Sequence, residues 1–154
     1  MLSLSHNLLS LIEAAGPQLA QVDESVTHAP VRAGGWSHRQ LLGHLIDSAS
    51  NNHQRIVRAS LQRELNFPGY DQNGNVRVQQ FQTASWPMLV DLFLAYNRFL
   101  VHVIAHIPEA KLHTVCKIGA EMPTTLEHMA KDYVKHLAHH LKLLGIEPEM
   151  PAAA

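Results

Sequence analysis

The chain has 154 residues, 46% of them hydrophobic, which is enough to enclose one core and too little to suggest two domains. A formal net charge of −1 supplies no basic field, so neither nucleic acid nor a membrane surface is an expected partner. A single cysteine, Cys116, excludes an internal disulfide and a multi-cysteine zinc framework, and reads as a packed thiol.

In chain order, Leu4, Leu8, Leu11, Ile12 and Ala15 recur at helical spacing, predicting a first helix over residues 2–15 that Gly16-Pro17 should interrupt. Residues 18–35 read as another short helical turn and then a loop. A second helix, over 37–64, opens on a capping box. Ser37 accepts from the Gln40 backbone, Gln40 reaches back, and Trp36 and Leu41 sit where a hydrophobic staple closes. Residues 66–75 are dense in turn formers, so 67–82 reads as a long loop, a candidate lid offering Tyr70, Asp71 and Arg77 as polar contacts. Ser85, with Pro87 in the first turn, starts a third helix whose apolar face runs from Leu89 to Ile107 before Pro108 stops it. The β-branched stretch 114–118 suits a short extended piece. A fourth helix begins at Thr124-Thr125-Leu126-Glu127, read as a second capping box, and ends with Gly145 at C′.

This pattern predicts an all-α four-helix bundle as a single domain over 1–147, with a loose Pro-Ala tail over 148–154. No cationic leader and no run of the roughly 18–20 apolar residues that crosses a bilayer is visible, which points to a cytoplasmic protein.

The chain has 12 histidines, and they are scattered, unlike a tag. Stepping about 100° per residue along the fourth helix puts His136 and His140 on one shoulder of the apolar face, one turn apart, and turns His128 and His139 toward solvent. Two imidazoles at i and i+4 can grip one ion but need a third ligand from elsewhere. On the second helix His44 lies at the edge of the buried face, aligned with Ser48, Asn51 and Arg55. Spacing alone leaves open whether this stripe is a site or a solvated flank with a core-edge histidine.

Trp36-Ser37, Gln40, Leu42-Gly43-His44-Leu45, Asp47-Ser48, Asn51 and Arg55, followed by Tyr133, His136 and His139-His140, resemble the DinB-like superfamily of metal-dependent enzymes. The segment Phe67-Pro68-Gly69-Tyr70-Asp71 is similar to its YfiT-like branch. The resemblance implies a four-helix bundle with a divalent metal held by one histidine of the second helix and two of the fourth, here His44, His136 and His140. Where the branch has a tyrosine nine residues after the first ligand, this chain has His53, which reads as a surface residue.

Three imidazoles leave a coordination position open, as catalytic sites do, and nitrogen donors suit zinc or nickel best here, with cobalt and iron also compatible. Asp47 is a candidate to orient the His44 imidazole, and Arg55 to meet an anionic substrate group. The resemblance implies a small-molecule substrate and either hydrolysis or S-transfer from a low-molecular-weight thiol. The alternative is a non-catalytic metal-binding stress or interaction protein, and in either case a homodimer is expected.

Overall fold

The computed structural model describes residues 1–147, so the tail expected over 148–154 lies outside the described residues. In chain order the helices are α1 (Leu2–Gln21), α2 (His38–Leu61), the short α3 (Gln72–Val78), α4 (Trp86–Ala105) and α5 (Leu126–Leu143). The four long ones form the expected bundle: α1 packs chiefly on α4, and α2 on both α4 and α5. At one end sits a small sheet. Its strand β1 (Glu64–Phe67) pairs in parallel with β2 (Val115–Ile118), which pairs antiparallel with β3 (Thr124–Thr125).

Three boundaries differ from the sequence reading. Helix α1 does not stop at Gly16-Pro17 but runs to Gln21. Proline costs the helix one hydrogen bond. Tertiary burial outweighs that loss, because the extra turn places Leu19 fully inside the core and lets its carbonyl, which also accepts from the Val22 N–H, take the Trp86 indole N–H at 2.9 Å. Helix α2 ends at Leu61, short of 64, since Glu64–Phe67 finds a strand partner some fifty residues later, in register Glu64 with Val115 through Phe67 with Ile118. The cap of α5 is Thr125, whose hydroxyl accepts from the His128 N–H, so Glu127 pairs with Lys131 instead of closing a capping box.

Other signals hold. The Ser37–Gln40 capping box opens α2 with both bonds present. Gly145, at φ 75°, ends α5 in a Schellman motif: its N–H bonds the Lys142 carbonyl, and the Ile146 N–H that of Leu141. Helix α4 is long and apolar enough by composition to cross a bilayer, unlike the sequence reading that no run came close. In the bundle it is a core helix, burying Phe93, Leu100 and Ile104, while buried Asn97 accepts from the Tyr133 hydroxyl and donates to the Phe93 carbonyl.

Candidate metal centre

The capping box fixes where α2 begins, and therefore which way His44 points. Its side chain is 1% exposed and faces α5 under the Trp36 ring, whose centroid is 4.8 Å away. From α5, His136 and His140 sit one turn apart, edge to face, with centroids 4.2 Å from each other, and 5.4 Å and 5.2 Å from His44. One ring nitrogen from each of the three lies within 4.8 Å of the others.

The nitrogens face one another without bonding well. His44 Nε2 and His136 Nε2 are 3.4 Å apart, beyond the usual 2.7–3.2 Å range for an N–H donor. Two nitrogens ligating one ion at about 2.0–2.1 Å with a tetrahedral angle would stand about 3.4 Å apart. Nδ1 of His44, His136 and His140 is also buried with no hydrogen-bond partner among the described residues. Three imidazoles that satisfy neither each other nor the protein are suited to a shared cation, so the residues present fit a metal.

Electrostatics point the same way. Burial, reinforced by His136, holds His44 down at about 4, and burial with the neighbouring histidines and Arg32 holds His140 at about 3. His136 is also lowered, first by burial, with Asp132 opposing. All three are thus neutral at pH 7, the form that coordinates. This alters the pH behaviour expected of free histidines at about 6.5. In metal-free protein, as pH falls from about 6.5 toward 4, the unfolded chain takes up protons that the folded site refuses, so stability declines across that window and is flat above it. Denaturant midpoints of chelator-treated protein from pH 7.5 to 4.5 measure this. A slope unchanged by His140→Gln would remove the site from the explanation.

The family described as the DinB superfamily matches residues 6–144. The chain belongs to it. Among solved structures, the bundle is similar to YfiT from Bacillus subtilis, described as a probable metal-dependent hydrolase with an unusual four-helix bundle topology. The TM-score is 0.81 at 22% identity, over 93% of this chain and 82% of that one. It is also similar to a mycothiol-dependent maleylpyruvate isomerase, with a TM-score of 0.77 at 15% identity, over 97% of this chain and 62% of that one. The chain therefore spans about three-fifths of the isomerase. No curated protein matches.

In this DinB-superfamily chain the triad stands between two clefts. His136 lines one of about 410 Å³ together with Ser48, Asn52, Arg55 and Tyr70. His140 lines another of about 350 Å³ with Arg32, Trp36 and Asn73, and Gln72 borders both. Asp47 is buried; its Oδ1 accepts from Gln79 Nε2 at 2.7 Å, and no bond joins it to His44. Burial raises its pKa, and the Gln79 bond opposes that. His53 bonds the Tyr96 hydroxyl at 3.0 Å on the face shared by α2 and α4, remote in its contacts from the triad. His139 is exposed as expected, whereas exposed His128 lies at the rim of the Arg55 cleft instead of turning away from the site.

The segment expected to be an irregular lid is largely ordered. Tyr70 and Gln72 reach the His136 cleft, but Asp71 caps α3 through the Gly74 N–H, and Arg77 lines a different depression beside Gln40. Trp36 over His44, Gln79 on Asp47 and Phe81 against Gly43 were missed, because tertiary folding brings them together across 8 to 38 positions with no spacing signal.

Proposed function

We propose that the protein is a metal-dependent enzyme whose His44, His136 and His140 hold one divalent transition metal, zinc or nickel, with a coordination position left for substrate. The observation that carries this is the convergence of three neutral imidazoles whose buried ring nitrogens lack other partners. When bound, the metal supplies a Lewis acid able to polarise an oxygen or acidify a nucleophile. The chain's own residues do the rest. Trp36 shields His44 from water, Asp47 and Gln79 tie α3 to the helix bearing His44, and the two clefts admit small molecules to either side of the triad.

Both clefts are of a size that takes small molecules. Two openings onto one triad favour transfer between two small molecules, with a low-molecular-weight thiol as the nucleophile, over hydrolysis, which needs only one. The mycothiol dependence of one structural relative supports that ranking, and the hydrolase description of the other keeps water as the second nucleophile. A screen of fully metal-loaded protein decides: electrophiles with each of bacillithiol, mycothiol and glutathione, against ester and amide substrates. Thiol-dependent loss of electrophile is expected. No turnover in either arm favours the non-catalytic metal-binding alternative.

The expected homodimer has a surface to form on. Met88, Leu92 and Phe99 make an outward apolar strip on α4, each 46–52% exposed. Sedimentation should give a dimer for the wild type and a monomer for Leu92→Glu/Phe99→Glu; a wild-type monomer at tens of micromolar removes the proposal.

A further inference from the structure

Two arginines enter the interior, and they differ. Arg39, 5% exposed, uses every branch of its fork: Nε donates to Thr27 Oγ1, one terminal nitrogen to the Ala84 carbonyl, and the other to Glu24. It is a structural clamp. Arg55 is half-buried, its Nε is enclosed with no partner, and it makes no ion pair among the described residues. Its guanidinium lies against two aromatic rings, Phe67 at 5.6 Å and Tyr70 at 6.0 Å. Ring faces stabilise the cation but accept none of its planar fork of N–H bonds in the way a carboxylate does. An enclosed Nε with no partner, on a head group that is only half-buried, is costly to leave unmet and open to a partner that enters the cleft.

The surroundings say which partner. Arg55 and His136 line the same cleft, and the carboxylates of Glu121 and Asp132 stand on its walls. Glu121 is close enough to be felt by Arg55 without pairing to it. An anion in this cleft is repelled from both acidic walls, so among the described lining residues the guanidinium is the formal cation that can hold it. Beside two flat rings, a planar singly charged carboxylate fits the fork, whereas a phosphate dianion would bring more charge toward Glu121 and Asp132.

Position gives a length. Arg55 follows His44 by three turns of α2, a rise of about 16 Å, and both side chains lean back toward the N-terminus, the longer arginine by a few Å more, which leaves the guanidinium about 12–14 Å from the His44 imidazole. Tyr70 bridges that interval, since its hydroxyl feels both Asp47 and Arg55. We propose that Arg55 is the carboxylate-binding residue of the site, and that the substrate is a small elongated carboxylate with its acid on Arg55 and its reacting end at His136. This rests on the metal-centre reading for the reacting end, not for the acid.

A ruler of bifunctional probes tests it. Alkyl hydroxamates, whose head chelates metal, are prepared with a terminal carboxylate or the matched neutral amide, and their affinities for zinc-loaded protein are measured by calorimetry. At a spacer of roughly six to eight bonds, the carboxylate should bind at least about tenfold tighter than the amide. That advantage should vanish in Arg55→Met at unchanged metal content and melting temperature, and return in part in Arg55→Lys. Equal affinity of acid and amide at every spacer, or an advantage that survives Arg55→Met, overturns the proposal. If instead no hydroxamate prefers loaded over chelator-treated protein, the metal reading fails by itself. Hexanoate against hexanamide in metal-free wild type and Arg55→Met then decides the Arg55 assignment separately.

Discussion

Alanine at His44, His136 or His140 is expected to reduce metal affinity by roughly a hundredfold or more, because a structural zinc site gains about 10–16 kcal/mol from four ligands, or about 3 kcal/mol for each. The three substitutions should act alike on occupancy, since each removes one of three converging nitrogens. They should differ in metal-free stability. His44 is 1% exposed and packs under Trp36, so its loss opens a cavity, whereas His136 and His140 are only half-buried on the shoulder of α5. Exposed His128 and His139 are the controls. His139 is the stringent one, because its ring lies 5.2 Å from that of His140 and yet falls outside the converging set. Elemental analysis of purified variants, with melting temperatures measured before and after chelation, separates the two effects. Equal metal loss at His139 and His140 would reject the assignment of the face.

Local chemistry made much of this site legible. The Ser37–Gln40 box fixes the phase of α2, the i and i+4 spacing of His136 and His140 fixes a shared face, and Gly145 fixes where α5 ends, all within a few residues of chain. Contacts between distant segments were not legible. Gly16-Pro17 has the composition of a helix stop, and only Trp86, some seventy positions away, supplies the bond and burial that carry α1 onward. The helical pattern of α2 carries on to Glu64 in the sequence, and only the strand edge offered by Val115–Ile118 turns Glu64–Phe67 into a strand. Asp47 one turn from His44 suggests an imidazole partner, but Gln79 takes its Oδ1. The clefts depend on the same long-range geometry, so the unpaired state of Arg55 could be seen only once Phe67, Tyr70 and Glu121 were placed around it.

Gly43→Val is expected to destabilise the protein strongly, for a reason that also sets the triad. The Phe81 ring lies directly on the α2 backbone at Gly43, where a Cβ would stand 2.3 Å from two ring atoms. The ring cannot withdraw cheaply. It belongs to the short turn Phe81–Thr83, which follows Gln80 in the left-handed region at φ 54°, and the neighbouring residues are tied down by Ser37 to Gln82 and Arg39 to the Ala84 carbonyl. Overpacking of this kind costs about 1–3 kcal/mol for small insertions. Two effects compete in Gly43→Ala: that clash, and a gain of about 1 kcal/mol from replacing glycine inside a helix. The clash should win, lowering the melting temperature by several degrees, about 2–4 °C for each kcal/mol in a chain of this size. The decisive experiment inverts the sign. Phe81→Ala alone should cost about 3–5 kcal/mol by emptying the space above α2. In that background only the helix-propensity term remains, so adding Gly43→Ala should stabilise, and the double variant should be more stable than Phe81→Ala. If Gly43→Ala destabilises equally with and without the Phe81 ring, the close approach is not what requires glycine beside His44.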